Sequence, residues 1–285
     1  MNMKLLVVGA GTMGTGITQV AAEQGIEVVL YDFKPEQLAK TKKTINNFLQ
    51  KKVDKGKLSS QEKEVVLKRI QLVEDLGDRV RQCDFVIEAI FENYEAKVQL
   101  FKQLDKVCNP EAILISNTST LSISKMAEAL QDPSRFMGMH FFSPVPVMRL
   151  VEVVRGEKTS AVTMEKGLKL VEALGKTGVV VKDIPGFLVN RINCLMYNEA
   201  ARLVQAEVAT AENVDKAMKL GMNHPMGPLE MIDMAGIDVA LSALDALYEM
   251  TGNEAYKPAE ILREMVNSGK CGRKSTVGFY NYKNQ

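Results

Sequence analysis

The sequence predicts an α/β domain built on a mostly parallel sheet with a helical excursion, followed by an all-helical C-terminal domain. Three observations predict it. From residue 3 to about 182, short β-branched runs alternate with longer amphipathic ones, the pattern of strand–helix–strand units. A glycine-rich turn, Gly9-Ala10-Gly11-Thr12-Met13-Gly14, leaves the first strand and opens a helix. After Ile184-Pro185-Gly186 the strand runs stop and only helical periodicity remains. Strands are expected at 3–8, 27–31, 84–90, 112–116, 136–141, 148–154 and 178–182. Helices are expected near 13–24, 35–57, 60–69, 94–107, 122–130 and 160–174, and then at 187–206, 211–220, 228–250 and 258–267. The domain ranges are 1–184 and 185–285.

Composition narrows the function. With 36 Lys+Arg against 35 Asp+Glu the chain nets +1, which argues against nucleic acid as the partner and for a small molecule. At 46% hydrophobic it is no disordered chain. Two histidines and four widely spaced cysteines, with no CxxC, predict neither a metal site nor a disulfide framework. No stretch approaches the roughly 20 apolar residues of a membrane span, so a soluble protein of the reducing cytoplasm is expected.

The three glycines of the turn have separate tasks. Gly9 permits the tight turn, Gly11 lets the backbone approach a pyrophosphate, and Gly14 lets helix and strand pack closely; Thr12 and Met13 lie at the helix start, where free N–H groups attract an anion. Asp32 ends the second strand 18 residues beyond Gly14, where a carboxylate accepts from both ribose hydroxyls and repels a 2′-phosphate. Together these make a Rossmann-type fingerprint for NAD, although Lys34 has the sign that a 2′-phosphate would favour.

His140 falls at the end of an apolar strand, where ligand crevices form, although a lone histidine beside Phe141 and Phe142 is more often a core residue. Glu152 changes that balance. It lies within Leu150-Val151-Glu152-Val153-Val154, apolar on both faces, and an unpaired carboxylate there costs several kcal/mol to bury. A histidine on a neighbouring strand is the most economical partner. Such a pair fixes the imidazole tautomer and steadies the imidazolium, as the acid of a hydrolytic triad does. The chain has no G-x-S-x-G elbow, so a serine hydrolase is disfavoured.

Other features read two ways. Ser116-Asn117-Thr118-Ser119-Thr120 sits between a strand and a helix and would serve as helix caps or as ligand contacts. Asn190, one turn into an apolar helix, has an amide for a ligand or for an interdomain bond. Between Lys34 and Arg69 there are 11 Lys/Arg against four acids, a local +7 that leaves the remainder at −6. That segment is a solvated hairpin or the landing surface of a polyanion.

Taken together, these residues resemble the L-3-hydroxyacyl-CoA dehydrogenase family almost end to end. The likeness includes the glycine turn, Val86-Ile87-Glu88-Ala89, Ser116-Asn117-Thr118-Ser119, His140 through Met148, Leu150-Val151-Glu152-Val153, Pro185 through Arg191, Pro225-Met226-Gly227-Pro228, and Gly272-Arg273-Lys274-Ser275 with Gly278-Phe279-Tyr280. The resemblance implies NAD-linked interconversion of a short-chain (3S)-3-hydroxyacyl-CoA, hydroxybutyryl-CoA, and acetoacetyl-CoA. It implies His140 as acid and base, Glu152 as its partner, Ser119 on the substrate's 3-oxygen, and Asn190 orienting the histidine and the acyl group. Glu92, Lys97, Asn117, Ser119 and Ser143 would add NAD contacts, with Lys274 a further one, and Lys51 and Lys55 would meet CoA phosphates. A homodimer through the helical domain is implied as well. Ser143 stands where the family commonly has Asn, and Thr120 where a second Ser is common. Two alternatives stay open on residues alone: a dehydrogenase of a free hydroxyacid or sugar acid on the same fold, and a catalytically silent NAD-binding protein.

Overall fold

The computed structural model describes residues 3–283, so Met1, Asn2, Asn284 and Gln285, at the ends of the two expected domain ranges, lie outside the described residues. The chain divides into two compact units, Met1–Ile184 and Pro185–Gln285.

In the first unit the elements run β1 (Lys4–Val8), α1 (Thr12–Glu23), β2 (Glu27–Tyr31), α2 (Pro35–Asp54), α3 (Ser60–Lys68), β3 (Ile70–Val73), β4 (Phe85–Glu88) and α4 (Tyr94–Val107). They continue with β5 (Ile113–Ser116), α5 (Ile123–Ala127), β6 (Phe136–Phe141), β7 (Leu150–Arg155), α6 (Ala161–Ala173) and β8 (Thr177–Lys182). The strands form one sheet in the order β3-β2-β1-β4-β5-β6-β7-β8. Every neighbouring pair is parallel except β6 and β7, which run antiparallel. The order of the first six strands is the doubly wound dinucleotide-binding order, and its direction reverses between β1 and β4, where a ligand crevice opens beyond the strand ends.

The central strands carry little polarity because both sheet faces are covered. Leu5, Leu6, Val7, Val86, Ile87, Leu114 and Ile115 have no exposed surface. Helix α1 packs Ile17, Val20 and Ala21 into the same core. Its approach depends on Gly14, where a Cβ would sit 1.8 Å from the Gly9 carbonyl oxygen. The helical excursion, α2 and α3, starts on Pro35 and restarts on a capping box in which Ser59 Oγ accepts from Glu62 N (3.1 Å) and Glu62 accepts from Ser59 N (2.8 Å). Lys52 pairs with Glu23 at 2.7 Å and the Arg69 guanidinium donates to Ala22 O at 3.0 Å, which fastens the hairpin to α1.

Strand β3 is absent from the sequence reading, which ends a helix at residue 69. Four residues with no Gly or Pro before them give too short a run to show alternation, and they become a strand by pairing with β2 at the sheet edge.

The second unit is helical: α7 (Val189–Gln205), α8 (Ala211–Gly221), α9 (Pro228–Ala235), α10 (Ile237–Thr251) and α11 (Glu260–Asn267). The continuous helix expected over 228–250 is corrected to two, because Gly236 at φ 105° cannot continue an α-helix and apolar periodicity does not register that break. Leu229, Ile232, Ile237, Leu244, Leu247 and Leu262 fill its core. Buried Asp233 holds the C-terminal segment by accepting from Phe279 N, Tyr280 N (both 3.0 Å) and Tyr282 Oη (3.1 Å). Gly278 is required there, since a Cβ would fall 2.1 Å from the Asp233 carboxylate.

All four cysteines are free. Burial pushes the thiols of Cys83 and Cys194 up to about 11 and that of Cys108 up to about 12. The thiolate is the nucleophile, so these three react slowly in the folded protein. Iodoacetamide at pH 8 is expected to label half-buried Cys271 first, with the others modified only after denaturation; peptide mass spectrometry reads the order.

Candidate active site and cofactor crevice

The crevice begins at the glycine turn. Gly9 takes φ 104°, donates its N–H to Tyr31 O at 2.8 Å, and lies so close to β4 that a Cβ would sit 2.7 Å from Ala89 O. Asp32 secures the turn from the side: one carboxylate oxygen accepts from Ala10 N at 2.7 Å and the other from Lys34 N at 2.9 Å. Thr41 Oγ1 donates to Ala10 O at 3.0 Å. Gly11 caps α1 with no side-chain bond to its first amides, and a Cβ added to Gly11 would meet nothing within 4 Å. The exposed Thr12 follows, while Met13 is half-buried against the core.

Two cavities flank this turn. One, of about 380 Å³, is lined by Gly9, Gly11, Asp32, Phe33 and Phe91, whose rings are 69% and 68% exposed. The other, of about 360 Å³, runs between Gly11, Thr12 and Thr15 on one side and Lys40, Phe48 and Ser143 on the others. A helix start with uncapped amides, a carboxylate at the end of β2 and exposed aromatic faces suit a pyrophosphate, a ribose and an adenine in turn.

His140 and Glu152 stand directly opposite each other in the one antiparallel pairing, β6 with β7. Their Nδ1 and Oε2 atoms are 2.6 Å apart, with Glu152 wholly buried and His140 8% exposed. The partner that the burial argument demands for Glu152 is thus found one strand away. Phe142 tilts over the imidazole at 4.5 Å between ring centroids. Asn117 Oδ1 accepts from Phe141 N at 3.0 Å, tying the Ser-Asn-Thr-Ser loop to the residue after the histidine.

That loop is held chiefly by Glu92. Its Oε1 accepts from Thr118 Oγ1 (2.6 Å), Ser119 N (2.8 Å) and Thr120 N (3.1 Å), with the Ser119 and Thr120 hydroxyls each at 3.2 Å. Lys97 reaches the other oxygen at 3.2 Å and Glu88 Oε1 at 2.6 Å. Desolvation by burial pushes the Glu92 carboxyl up, but the Lys97 ammonium and the donors of Thr118 and Ser119 more than offset it, leaving it below an ordinary glutamate. At Glu88 desolvation prevails over Lys97, Ser116 and Ile90 N, and the group is pushed up.

Lys97, expected as a cofactor contact, lies enclosed behind these two glutamates. Its ammonium has no exposed surface and serves two glutamates. Sequence reasoning missed Glu88 as the third member, although the signal was the one used for Glu152: a carboxylate inside an apolar strand needs a cation. It also missed Lys176, whose Nζ donates to Val145 O (2.5 Å) and Met148 O (2.8 Å) and so clamps the loop carrying Ser143.

On the hairpin, Lys51 and Lys55 are exposed at the end of α2, Lys51 lying 5.9 Å from the Phe48 ring centroid, whereas Lys52 is occupied by Glu23. Asn190 is the second residue of α7, half-buried in the helical unit. Lys274 belongs to that unit too, bonded to Asp238 Oδ2 at 2.5 Å. Among the described residues no cluster of His, Cys, Asp and Glu could hold a metal ion, and no helix is long and apolar enough to cross a membrane.

Comparison with known proteins decides the family. The 3-hydroxyacyl-CoA dehydrogenase NAD-binding domain matches residues 4–184 and the C-terminal domain of the same family matches residues 186–282. The chain belongs to the 3-hydroxyacyl-CoA dehydrogenase family. Similar relatives are the 3-hydroxybutyryl-CoA dehydrogenases of Bradyrhizobium diazoefficiens, 43% identical over 98% of this chain and 95% of the relative, and of Clostridioides difficile, 41% identical over 98% and 99%. The crystal structure of (S)-3-hydroxybutyryl-CoA dehydrogenase from Ralstonia eutropha superposes with a TM-score of 0.96 at 42% identity, covering 100% of both chains. The chain is thus an NAD-dependent 3-hydroxyacyl-CoA dehydrogenase.

Two of the three glycines of this dehydrogenase's turn separate binding from folding. Gly11→Ala adds a methyl to open space and is expected to leave Tm unchanged while weakening NADH binding about tenfold or more. Gly14→Ala drives a methyl into the Gly9 carbonyl and is expected to cost about 2 kcal/mol or more of stability. Thermal melts with and without NADH check both.

Proposed function

We propose that the enzyme interconverts (3S)-3-hydroxybutyryl-CoA and acetoacetyl-CoA with NAD(H). The observation that carries the reading is the 2.6 Å bond between His140 Nδ1 and the buried Glu152 carboxylate. With Nδ1 committed to Glu152, proton transfer to and from the substrate's 3-oxygen runs through Nε2, and the adjacent anion stabilises the imidazolium formed on oxidation. Ser119, fixed by Glu92, supplies a hydroxyl to the same oxygen. Asn190 and Lys274 keep the acyl-group and cofactor roles that the family resemblance gives them. Asp32 and the α1 amides would hold the ribose and pyrophosphate of NAD, with Asn117 and Ser143 at the nicotinamide end; the cofactor would supply the hydride acceptor for oxidation at the substrate's C3 and the donor for reduction.

The first domain binds NAD and the second forms a homodimer. Leu220 and Met222 support the latter, since they leave 76% and 66% of their apolar side chains exposed on the helical unit. Four free cysteines fit work in a reducing cytoplasm.

His140→Ala is expected to lower turnover of acetoacetyl-CoA by about 10²–10⁴-fold, the range for a general acid–base, while NADH still binds. Glu152→Gln keeps the shape, removes the charge and is expected to lose at least tenfold in kcat. A His140→Ala enzyme that works at the parent rate would overturn the assignment. NADH oxidation assayed with acetoacetyl-CoA beside free acetoacetate separates the thioester reading from that of a free hydroxyacid dehydrogenase.

The exposed end of α2 carries the preference for CoA. Lys51→Ala with Lys55→Ala is expected to raise KM for acetoacetyl-CoA severalfold at unchanged kcat and to leave KM for acetoacetate alone. Equal effects on both substrates would return the hairpin to a solvated surface.

A further inference from the structure

Lys97 heads the large side chains with no exposed surface. An ammonium taken out of water costs several kcal/mol unless it is paired and hydrogen-bonded, so its place between Glu88 (2.6 Å) and Glu92 (3.2 Å) carries a requirement. The three side chains come from separate segments: Glu88 ends β4, Glu92 lies in the turn after it, and Lys97 sits in the first turn of α4. Glu88 is anchored by two further donors, Ser116 Oγ at 2.7 Å and Ile90 N at 2.8 Å.

What this cluster controls is the loop of Ser119. A carboxylate oxygen accommodates two or three donors well, and Glu92 Oε1 takes Thr118 Oγ1, Ser119 N and Thr120 N at 2.6–3.1 Å. The Ser119 hydroxyl, at 3.2 Å, is among the longest of the five contacts. Its backbone is therefore held firmly while its O–H proton is held weakly and can be given to another acceptor.

We propose that Glu88 and Lys97 are positioning residues for the reaction: through Glu92 they fix the Ser119 backbone and leave its hydroxyl as a donor to the substrate's 3-oxygen. The inference rests on the reading that Ser119 faces that oxygen. Lys97 then acts on turnover through Ser119.

The test is a double-mutant cycle with two readouts, kcat for acetoacetyl-CoA and Kd for NADH from fluorescence titration. Lys97→Met is expected to lower kcat roughly tenfold or more, a fraction of the 10²–10³-fold cost of losing a transition-state donor outright. In a Ser119→Ala background the same substitution is expected to have almost no further effect on kcat, because the group it positions is gone. A purely structural role would reduce kcat by the same factor in both backgrounds and overturns the proposal. So does a raised Kd at unchanged kcat, which returns Lys97 to a cofactor contact. Should Lys97→Met fail to fold with Glu88 left uncompensated, Glu88→Gln/Lys97→Met removes both charges and enters the same cycle. A Ser119→Ala enzyme with the parent kcat also overturns the proposal, and His140→Ala tests the reaction independently of it.

Discussion

Two carboxylates set into the interior of an apolar sheet, Glu88 on β4 and Glu152 on β7, govern the arrangement of everything around them. Neither reaches water, so each needs a hydrogen-bonded partner inside the protein. Glu152 finds His140 across the strand pair, and Glu88 finds Lys97 from the helix above. The first choice defines the proposed proton-transfer group. The second gives the Ser119 loop its attachment through Glu92. A hydrophobic sheet thus converts a burial penalty into fixed positions for polar groups, and those groups gather at the strand ends where the crevice opens.

Periodicity in the sequence shows an element wherever the element is long or its burial uniform. The central strands and the long helices α2, α4 and α7 are visible that way. Strand β3 is not, because four residues at an edge acquire their conformation from β2 and not from their own pattern. The break between α9 and α10 is hidden for another reason: apolar positions continue in phase across Gly236, and only the positive φ ends the helix. Within the site, Glu152 declares itself because it is a charge inside an apolar run. Glu88 makes the same declaration within the expected strand 84–90, but its partner Lys97 gives no matching signal. Lys97 looks like any helical surface lysine until the fold encloses it. Lys176 gives no signal at all, since its task is to bond two main-chain carbonyls some thirty residues away.

The basic hairpin shows how a single count of charge conceals two kinds of lysine. Lys52 is spent on Glu23 and Lys63 on Gln50, and these bonds hold the hairpin to itself and to α1. Lys51 and Lys55, exposed at the end of α2, add to the field that meets solvent. Only the latter kind contributes to attracting a polyanion, so the effective basic surface is smaller and more localised than the local +7 implies.

The antiparallel turn of β7 has a consequence for how the sheet is assembled. In a strand pair, a slip of one residue sends every side chain to the opposite face. For β7 that slip would put Val151 or Val153 opposite His140 and carry Glu152 through the sheet, away from the imidazole and among apolar side chains. Misaligned forms of the sheet therefore bear a lone buried charge that the native alignment does not. The pair proposed to handle the proton also favours the register of the strands on which it is built.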